Sequence, residues 1–364
     1  MAILLVAAAV RVFWAFYAYR GAPVSAIRSG DQYAYWYSGS ELAAGNGYVS
    51  VLDGEPTAYY PVGYPALLAA LFWTFEHTPI PDNVPLAANL IQAVVGTASV
   101  ALVFVIGRAI FDTRVGLVAA GITALWPNLV FYVGALMIET WFTFLCLVAV
   151  AIIATHNWST GPPGRARLVA FGVTMGIIAL VRPLILFFFV GLVVAVAIAG
   201  GWRRAATSLA WVLLPLVVLV MPWMVRNAVV MDAFTISTNL GDTLCIDRSD
   251  DATGRFRFAA HEGCVPIQES EVERYRGNIR KAVGWVIDHP DRELKQIVRR
   301  GWYTSRYDHD GLKEVENKEE GRFLGHRVRT GLSHTADWYY FVVLAVAAFG
   351  IPAFFRGRRP ERIF

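Results

Sequence analysis

Charge is scarce in this chain. Only 16% of its 364 residues are Asp, Glu, Lys or Arg, 56% are apolar, and the mean hydropathy is +0.47. That balance leaves too little polar surface for an ordinary soluble domain and reads as a polytopic membrane protein. Cysteine is equally sparse: three residues exclude a disulfide-rich framework. There is no CxxC, no HExxH, no GxxxxGK[ST] loop and no strand-borne GxGxxG, so redox, zinc-protease and nucleotide-hydrolysis readings lack their working parts. The net charge of +4 comes from short basic clusters beside apolar runs, which sets membrane orientation and argues against nucleic acid as a partner.

The apolar runs carry the architecture. A helix rises 1.5 Å per residue, so a ~30 Å hydrocarbon core needs about 20 residues. Runs of that order lie near 2–19, 85–107, 115–133, 138–155, 168–182, 183–200, 206–225 and 337–355. The expected fold is an all-α bundle of about eight transmembrane helices. A ninth run, 64–75, is too short for a span and suits an interfacial or re-entrant helix. Leaving it out puts Arg108 and Arg114, Arg165 and Arg167, Arg203 and Arg204, and the C-terminal Arg356, Arg358, Arg359 and Arg362 on one face, the cytoplasmic one. The opposite face receives the loop 21–83, which carries Asp31, Glu41, Asp53, Glu55, Glu76 and Asp82 against Arg28 alone. The first run contains Arg11, lacks a charged leader and exceeds a signal-peptide core in length, so it is expected to be retained rather than cleaved near Val24-Ser25-Ala26.

Residues 1–225 are thus expected to form the transmembrane module, 226–336 an external soluble domain, and 337–364 the last span with its basic tail. Residues 226–336 hold 18 Lys and Arg and 18 Asp and Glu, more than half of all the charge in the chain. Within them 239–254 reads as turn-rich, while 269–287 and 292–302 have helical spacing on either side of Asp288-His289-Pro290. Cys245 and Cys264 share this domain. In an oxidising compartment they would close a loop worth roughly 3 kcal/mol in the loop-entropy model; free thiols are the equal alternative.

Four ionisable sites converge on the external mouth under this topology: Asp31 after the first run, Glu139 opening the fourth, Arg182 closing the fifth, and Arg226 with Asn227 after the seventh. An ionisable group near a bilayer is expensive unless it faces a wet cavity or a partner. Asp31 has a plainer reading as a helix cap, Glu139 as half of a buried pair, and the two arginines as interfacial snorkellers. Taken together, two acids and two guanidinium forks match a phosphate held at the membrane surface. Asp308-His309-Asp310 repeats the Asp-x-Asp pattern used with nucleotide sugars, but three residues recur by chance.

In order along the chain, Gly30-Asp31-Gln32-Tyr33, Ala43-Ala44-Gly45-Asn46-Gly47-Tyr48, Tyr60-Pro61-Val62-Gly63-Tyr64-Pro65, Ile138-Glu139-Thr140, Leu180-Val181-Arg182-Pro183 and Pro222-Trp223-Met224-Val225-Arg226-Asn227 resemble the GT-C superfamily of integral-membrane glycosyltransferases. The nearest likeness is to bacterial relatives of dolichyl-phosphate-mannose protein mannosyltransferases and of the aminoarabinose lipid A transferase. Val62 stands where a second proline is common. The resemblance implies an enzyme of the bacterial inner membrane whose site faces outward. It would move a sugar from a polyprenyl phosphate to a hydroxyl of a glycan, lipid or protein. Asp31 would be the general base, Glu139 the second external carboxylate, and Arg182 and Arg226 the donor-phosphate ligands. Tyr33, Tyr60, Tyr64 and Asn227 would line the acceptor cavity, and Glu139 would orient either the acceptor or a hard ion, Mg²⁺ or Mn²⁺, held with Asp31. A lipid-linked sugar transporter or flippase and a non-catalytic assembly subunit are the competing readings.

Overall fold

A computed structural model describes residues 1–21, 30–76, 84–183, 194, 196–197, 200–250, 252–255, 264, 269–316 and 323–356. Helices account for almost all regular structure among them; the sole β feature is an isolated bridge between Val49 and Pro56. The order is α1 (Ala2–Gly21), α2 (Gly30–Ala43), α3 (Gly63–Glu76), α4 (Val84–Ile110), α5 (Thr113–Leu125), α6 (Pro127–Phe131), α7 (Glu139–Ala154), α8 (Arg165–Val181), α9 (Trp202–Met231), α10 (Asn239–Asp247), α11 (Glu271–Asp288), α12 (Pro290–Ser305), α13 (Asp310–Glu316) and α14 (His326–Arg356).

Among the described residues four helices are long and apolar enough to cross a membrane: Ala2–Arg20, Val84–Ile110, Trp202–Met231 and His326–Pro352. The pair Thr113–Leu125 and Pro127–Gly134, bent by 57°, makes a fifth if it is one broken span. The apolar runs expected at 138–155 and 168–182 are helices of 16 and 17 residues, and the short run at 64–75 is the 14-residue α3. Most of the run at 183–200 lies outside the described residues, as do the cleavage-like Val24-Ser25-Ala26 and the end of the basic tail.

The long helices sort side chains as lipid-facing helices do. In α1 the buried positions are Ala7, Arg11, Trp14, Ala15 and Ala18, one face at 3.6-residue spacing, while Leu5, Val6, Phe13 and Tyr17 point outward. In α4 the inward face is small or polar, with Ala88, Asn89, Gln92, Ala93, Gly96 and Ser99. Small residues inside let backbones approach, and large apolar ones outside meet lipid.

The break between α5 and α6 has an identifiable cause. Pro127 occupies the first turn of α6, and Trp126 before it is extended (φ −65°, ψ 111°), so Thr123 O keeps only a long bond from Trp126 N at 3.4 Å and Ala124 O has no N–H at 127 to follow it. Arg11, 1% exposed, reaches across from α1 and donates to Thr123 O at 3.2 Å and Ala124 O at 3.0 Å. This places a cation inside an apolar helix because freed carbonyls in a bilayer must find a donor. Arg11→Met is expected to destabilise the protein by about 1–3 kcal/mol for each carbonyl it strands, read as a lower unfolding temperature in micelles.

Outside the long helices one expectation is corrected. The turn-rich reading of 239–254 gives way to helix α10 over Asn239–Asp247. Its local propensity is poor, and tertiary contact supplies the difference. Gly241 lies so close to α11 that a Cβ there would meet Tyr275 O at 2.6 Å. Asp242 accepts from Asn278 at 2.8 Å and pairs with Arg274 at 3.2 Å. Cys245 is joined to Cys264 in a disulfide. Helices α11 and α12 stand where helical spacing put them, separated by His289 alone. The boundaries at 225 and 336 fall inside helices, since α9 runs on to Met231 and α14 begins at His326.

Candidate functional site

Asp31 sits in the first turn of α2, where an acid is favoured by the helix dipole. Its Oδ1 accepts a hydrogen bond from the Tyr60 hydroxyl at 2.7 Å. Next to it, Gln32 is 3% exposed, takes the Leu136 N–H on Oε1 at 3.1 Å and donates from Nε2 to Glu314 O at 2.5 Å. That one side chain ties the start of α2 to the segment before α7 and to α13, which fixes where Asp31 points.

Tyr60 is held as firmly. The stretch 57–60 runs along the segment after α9, with Thr238 N donating to Ala58 O at 2.9 Å and Asn239 N to Tyr59 O at 3.2 Å. Glu271 at the start of α11 accepts from Thr57 Oγ1, Ala58 N and Thr238 Oγ1 at 2.6–2.9 Å. Beyond Tyr60, Gly63 touches the end of α8, where a Cβ would stand 2.7 Å from Leu180 O. Only glycine permits that approach, and it brings the Tyr60 loop beside Arg182.

Arg182 is the extended residue that ends α8, and Pro183 bars continuation. Its guanidinium lies 3.8 Å from Glu139 Oε1 and over the Phe142 ring, and 45% of the side chain is exposed. Glu139 opens α7, again at a helix N-terminus. Asp31, Tyr35, Tyr60 and Arg182 share the polar end of a cavity of about 590 Å³. Ile138, Val181, Met224, Phe234 and Leu240 form its apolar wall. Tyr35 marks the centre of the charge cluster: burial first, then Asp31 and Glu139, push its hydroxyl well above the usual tyrosine range, while Arg182 opposes them. The Tyr60 hydroxyl is pushed up by burial and by the Asp31 carboxylate it serves.

The structure separates other residues that the sequence grouped with these. Arg226 spends its guanidinium on Thr57 O at 2.8 Å and Tyr48 O at 3.1 Å and stacks on Trp223. Asn227, fully buried, accepts from Arg226 and donates to Thr235 O at 2.9 Å. Neither lines the cavity; both bind the end of α9 to the loops that do. Tyr64, 1% exposed, donates to Gln92 Oε1 at 3.2 Å and packs edge-on against Tyr35 in the core. Tyr33 stacks on Trp36 along α2. Of the tyrosines and asparagine expected in the cavity, Tyr60 reaches it.

Two groups went unremarked in the sequence. Tyr35 is one of four aromatics within residues 33–37, and Glu314 one acid in Lys313-Glu314-Val315-Glu316. Glu314 lies on α13 and lines a second cavity of about 490 Å³ with His309, Lys313, Glu316, Arg329 and Ser333. Burial, then Asp31, Glu139 and Asp310, raise its carboxyl to about 7. The Asp308-His309-Asp310 segment is what delivers it. Asp308 accepts from Trp126 Nε1 at 2.5 Å and Asn128 Nδ2 at 2.7 Å, and His309 Nδ1 meets Asp337 at 2.8 Å. These bonds bridge α6 to α14, so the triplet serves as a structural joint.

An acid whose folded pKa is raised binds more protons folded than unfolded across the interval between the two values. Glu314 therefore makes the protein lose stability as pH rises from about 4.5 to about 7, with no further change above. Unfolding temperatures recorded across that interval should fall in the wild type and fall less in Glu314→Gln.

Among the described residues no three His, Cys, Asp or Glu side chains gather closely enough to hold a metal ion, Asp31 has an oxygen engaged by Tyr60, and Glu139 faces a guanidinium. Comparison with family models, with curated proteins and with solved structures returned no match.

Proposed function

We propose that this protein is a membrane glycosyltransferase that takes a sugar from a polyprenyl phosphate and gives it to an acceptor hydroxyl on the external face. The observation that carries the reading is the largely apolar cavity of about 590 Å³ whose polar end holds a hydrogen-bonded carboxylate and a half-exposed arginine together. An amphipathic donor needs both: hydrocarbon beside Met224, Phe234 and Leu240, and a cation for the phosphate. The eight-span bundle of the GT-C enzymes, with the Arg clusters cytoplasmic and the site outward in a bacterial inner membrane, belongs to the same proposal.

The step is a single displacement with inversion. The acceptor oxygen attacks the anomeric carbon, and its proton passes to Asp31 as the new C–O bond forms. The bond from carbon to phosphate oxygen breaks, and the polyprenyl phosphate departs with the electron pair. Tyr60 occupies Asp31 Oδ1 and so aims Oδ2 at the acceptor. General-base catalysis of this kind contributes about 10²–10⁴-fold. Arg182 stabilises the charge gathered on the leaving phosphate, and Glu139, 3.8 Å away, orients that guanidinium rather than a metal. No general acid is required, because the phosphate leaves as a stable anion.

Vesicles holding the purified chain, given radiolabelled polyprenyl-phosphate sugars and candidate acceptors, test the reading. Label is expected in a glycan, lipid or protein fraction. Label that crosses the bilayer while still attached to the polyprenyl phosphate would instead establish a flippase.

A further inference from the structure

Helix α12 is built inside out. Its protein-facing side is polar: Glu293 pairs with Arg300 at 2.6 Å and Arg248 at 3.1 Å, and Gln296 donates to Ala252 O at 2.5 Å. Its outer side is apolar. Leu294, Ile297, Val298 and Trp302 are each more than half exposed, and with Gly301 they follow the i, i+3, i+4, i+7, i+8 spacing of one helical stripe. Helix α11 buries Arg274 and Asn278 together with Ala282, and its exposed side mixes Val283 and Ile287 with Glu273, Arg276 and Arg280. A water-facing surface helix has the opposite polarity, so the medium outside α12 is not water.

Charge identifies the medium. Lys295 and Arg299 are exposed along one border of the stripe, with Arg292 beyond them; Asp291 in the first turn pairs with Lys295 at 3.9 Å and Arg292 with Asp250 at 3.1 Å. An apolar stripe edged by cations is the pattern of a helix lying in a headgroup layer, chains below and phosphates alongside. Such a layer borders the spans of this same molecule. We propose that α12 lies in the headgroup zone of the bilayer its own chain crosses, with Leu294, Ile297, Val298 and Trp302 in the acyl region and Lys295 and Arg299 against lipid phosphates. The region after α9 is then seated on the membrane rather than standing free in water.

The seat bears on the cavity through two joints already in place. Glu271 at the start of α11 grips the 57–60 stretch that presents Tyr60, and Tyr275 backs Gly241 of α10. A membrane-bound α11–α12 pair holds the cavity at headgroup level, where a lipid phosphate resides. The seat itself stands whether or not the protein transfers sugar.

Nitroxide labels test it in the full chain with Cys146→Ala, reconstituted in phosphatidylcholine vesicles with and without phosphatidylglycerol. Labels go at Val298→Cys and, in case that variant folds poorly, at Leu294→Cys. Lys281→Cys, on the opposite side of α11 from Val283 and Ile287, is the aqueous reference. The expected result is that the labels on α12 collide several-fold more with dissolved oxygen than with a water-soluble nickel chelate, with the ratio reversed at position 281. Equal nickel access at 298, 294 and 281 would overturn the proposal. Shielding of the α12 labels from both reagents would also overturn it and assign the face to a protein partner.

Discussion

If the protein transfers sugar as proposed, Asp31→Asn is expected to lower the rate by about 10²–10⁴-fold, the usual contribution of a general base, and to leave the fold unchanged. The amide keeps an oxygen for the Tyr60 hydroxyl now held at 2.7 Å, and Gln32 still fixes the start of α2 to Leu136 and Glu314. What disappears is the ability to accept a proton at the moment the acceptor oxygen attacks. Donor affinity should change little, since the carboxylate contributes to the transition state and not to holding the phosphate. Following label from a polyprenyl-phosphate sugar into acceptor at saturating donor reads the effect. A variant that turns over at the wild-type rate removes Asp31 from the chemistry.

Arg182→Met should lower the same rate by about 10²–10³-fold, the loss seen when a preorganised donor to a developing anion is deleted. Methionine keeps much of the length and the contact with Phe142 but supplies no charge, while Glu139 loses its partner at 3.8 Å. Arg182→Lys should recover part of the rate, because an ammonium restores the charge without the planar fork. The split between kcat and KM distinguishes a transition-state role from simple donor binding. An unchanged kcat with a raised KM would assign Arg182 to donor capture alone.

Part of the site was readable along the chain because each residue carries its own local reason. Asp31 lies in the loop that follows an apolar run, Glu139 opens one, and Arg182-Pro183 ends one, so the places of the last two at helix ends follow from sequence distance. Tyr60 and Gly63 sit in an aromatic-proline run with no helical periodicity. Glu314 gave no such signal. It belongs to Lys313-Glu314-Val315-Glu316, which looks solvated until Leu312 and Val315 are seen buried and Gln32 and Asn128 are seen fastening α13 from 282 and 183 residues away. Arg226 and Asn227 failed in the opposite sense. Their proximity to a helix end was readable, but their hydrogen bonds go to Tyr48, Thr57 and Thr235, which fold against them from distant stretches.

Composition and apolar periodicity were enough to make this an all-helical membrane protein, because burying a backbone in lipid leaves helices as the simplest way to satisfy every N–H and C=O. They also supplied the amphipathic spacing of α11 and α12. Long-range contact settled the rest. It set which acids face the cavity, why Arg11 is tolerated in α1, why Asn239–Asp247 is helical, and that α12 turns its apolar stripe outward. Hydrophobic spacing shows that a helix has two faces; which face meets protein depends on what the remainder of the chain places against it.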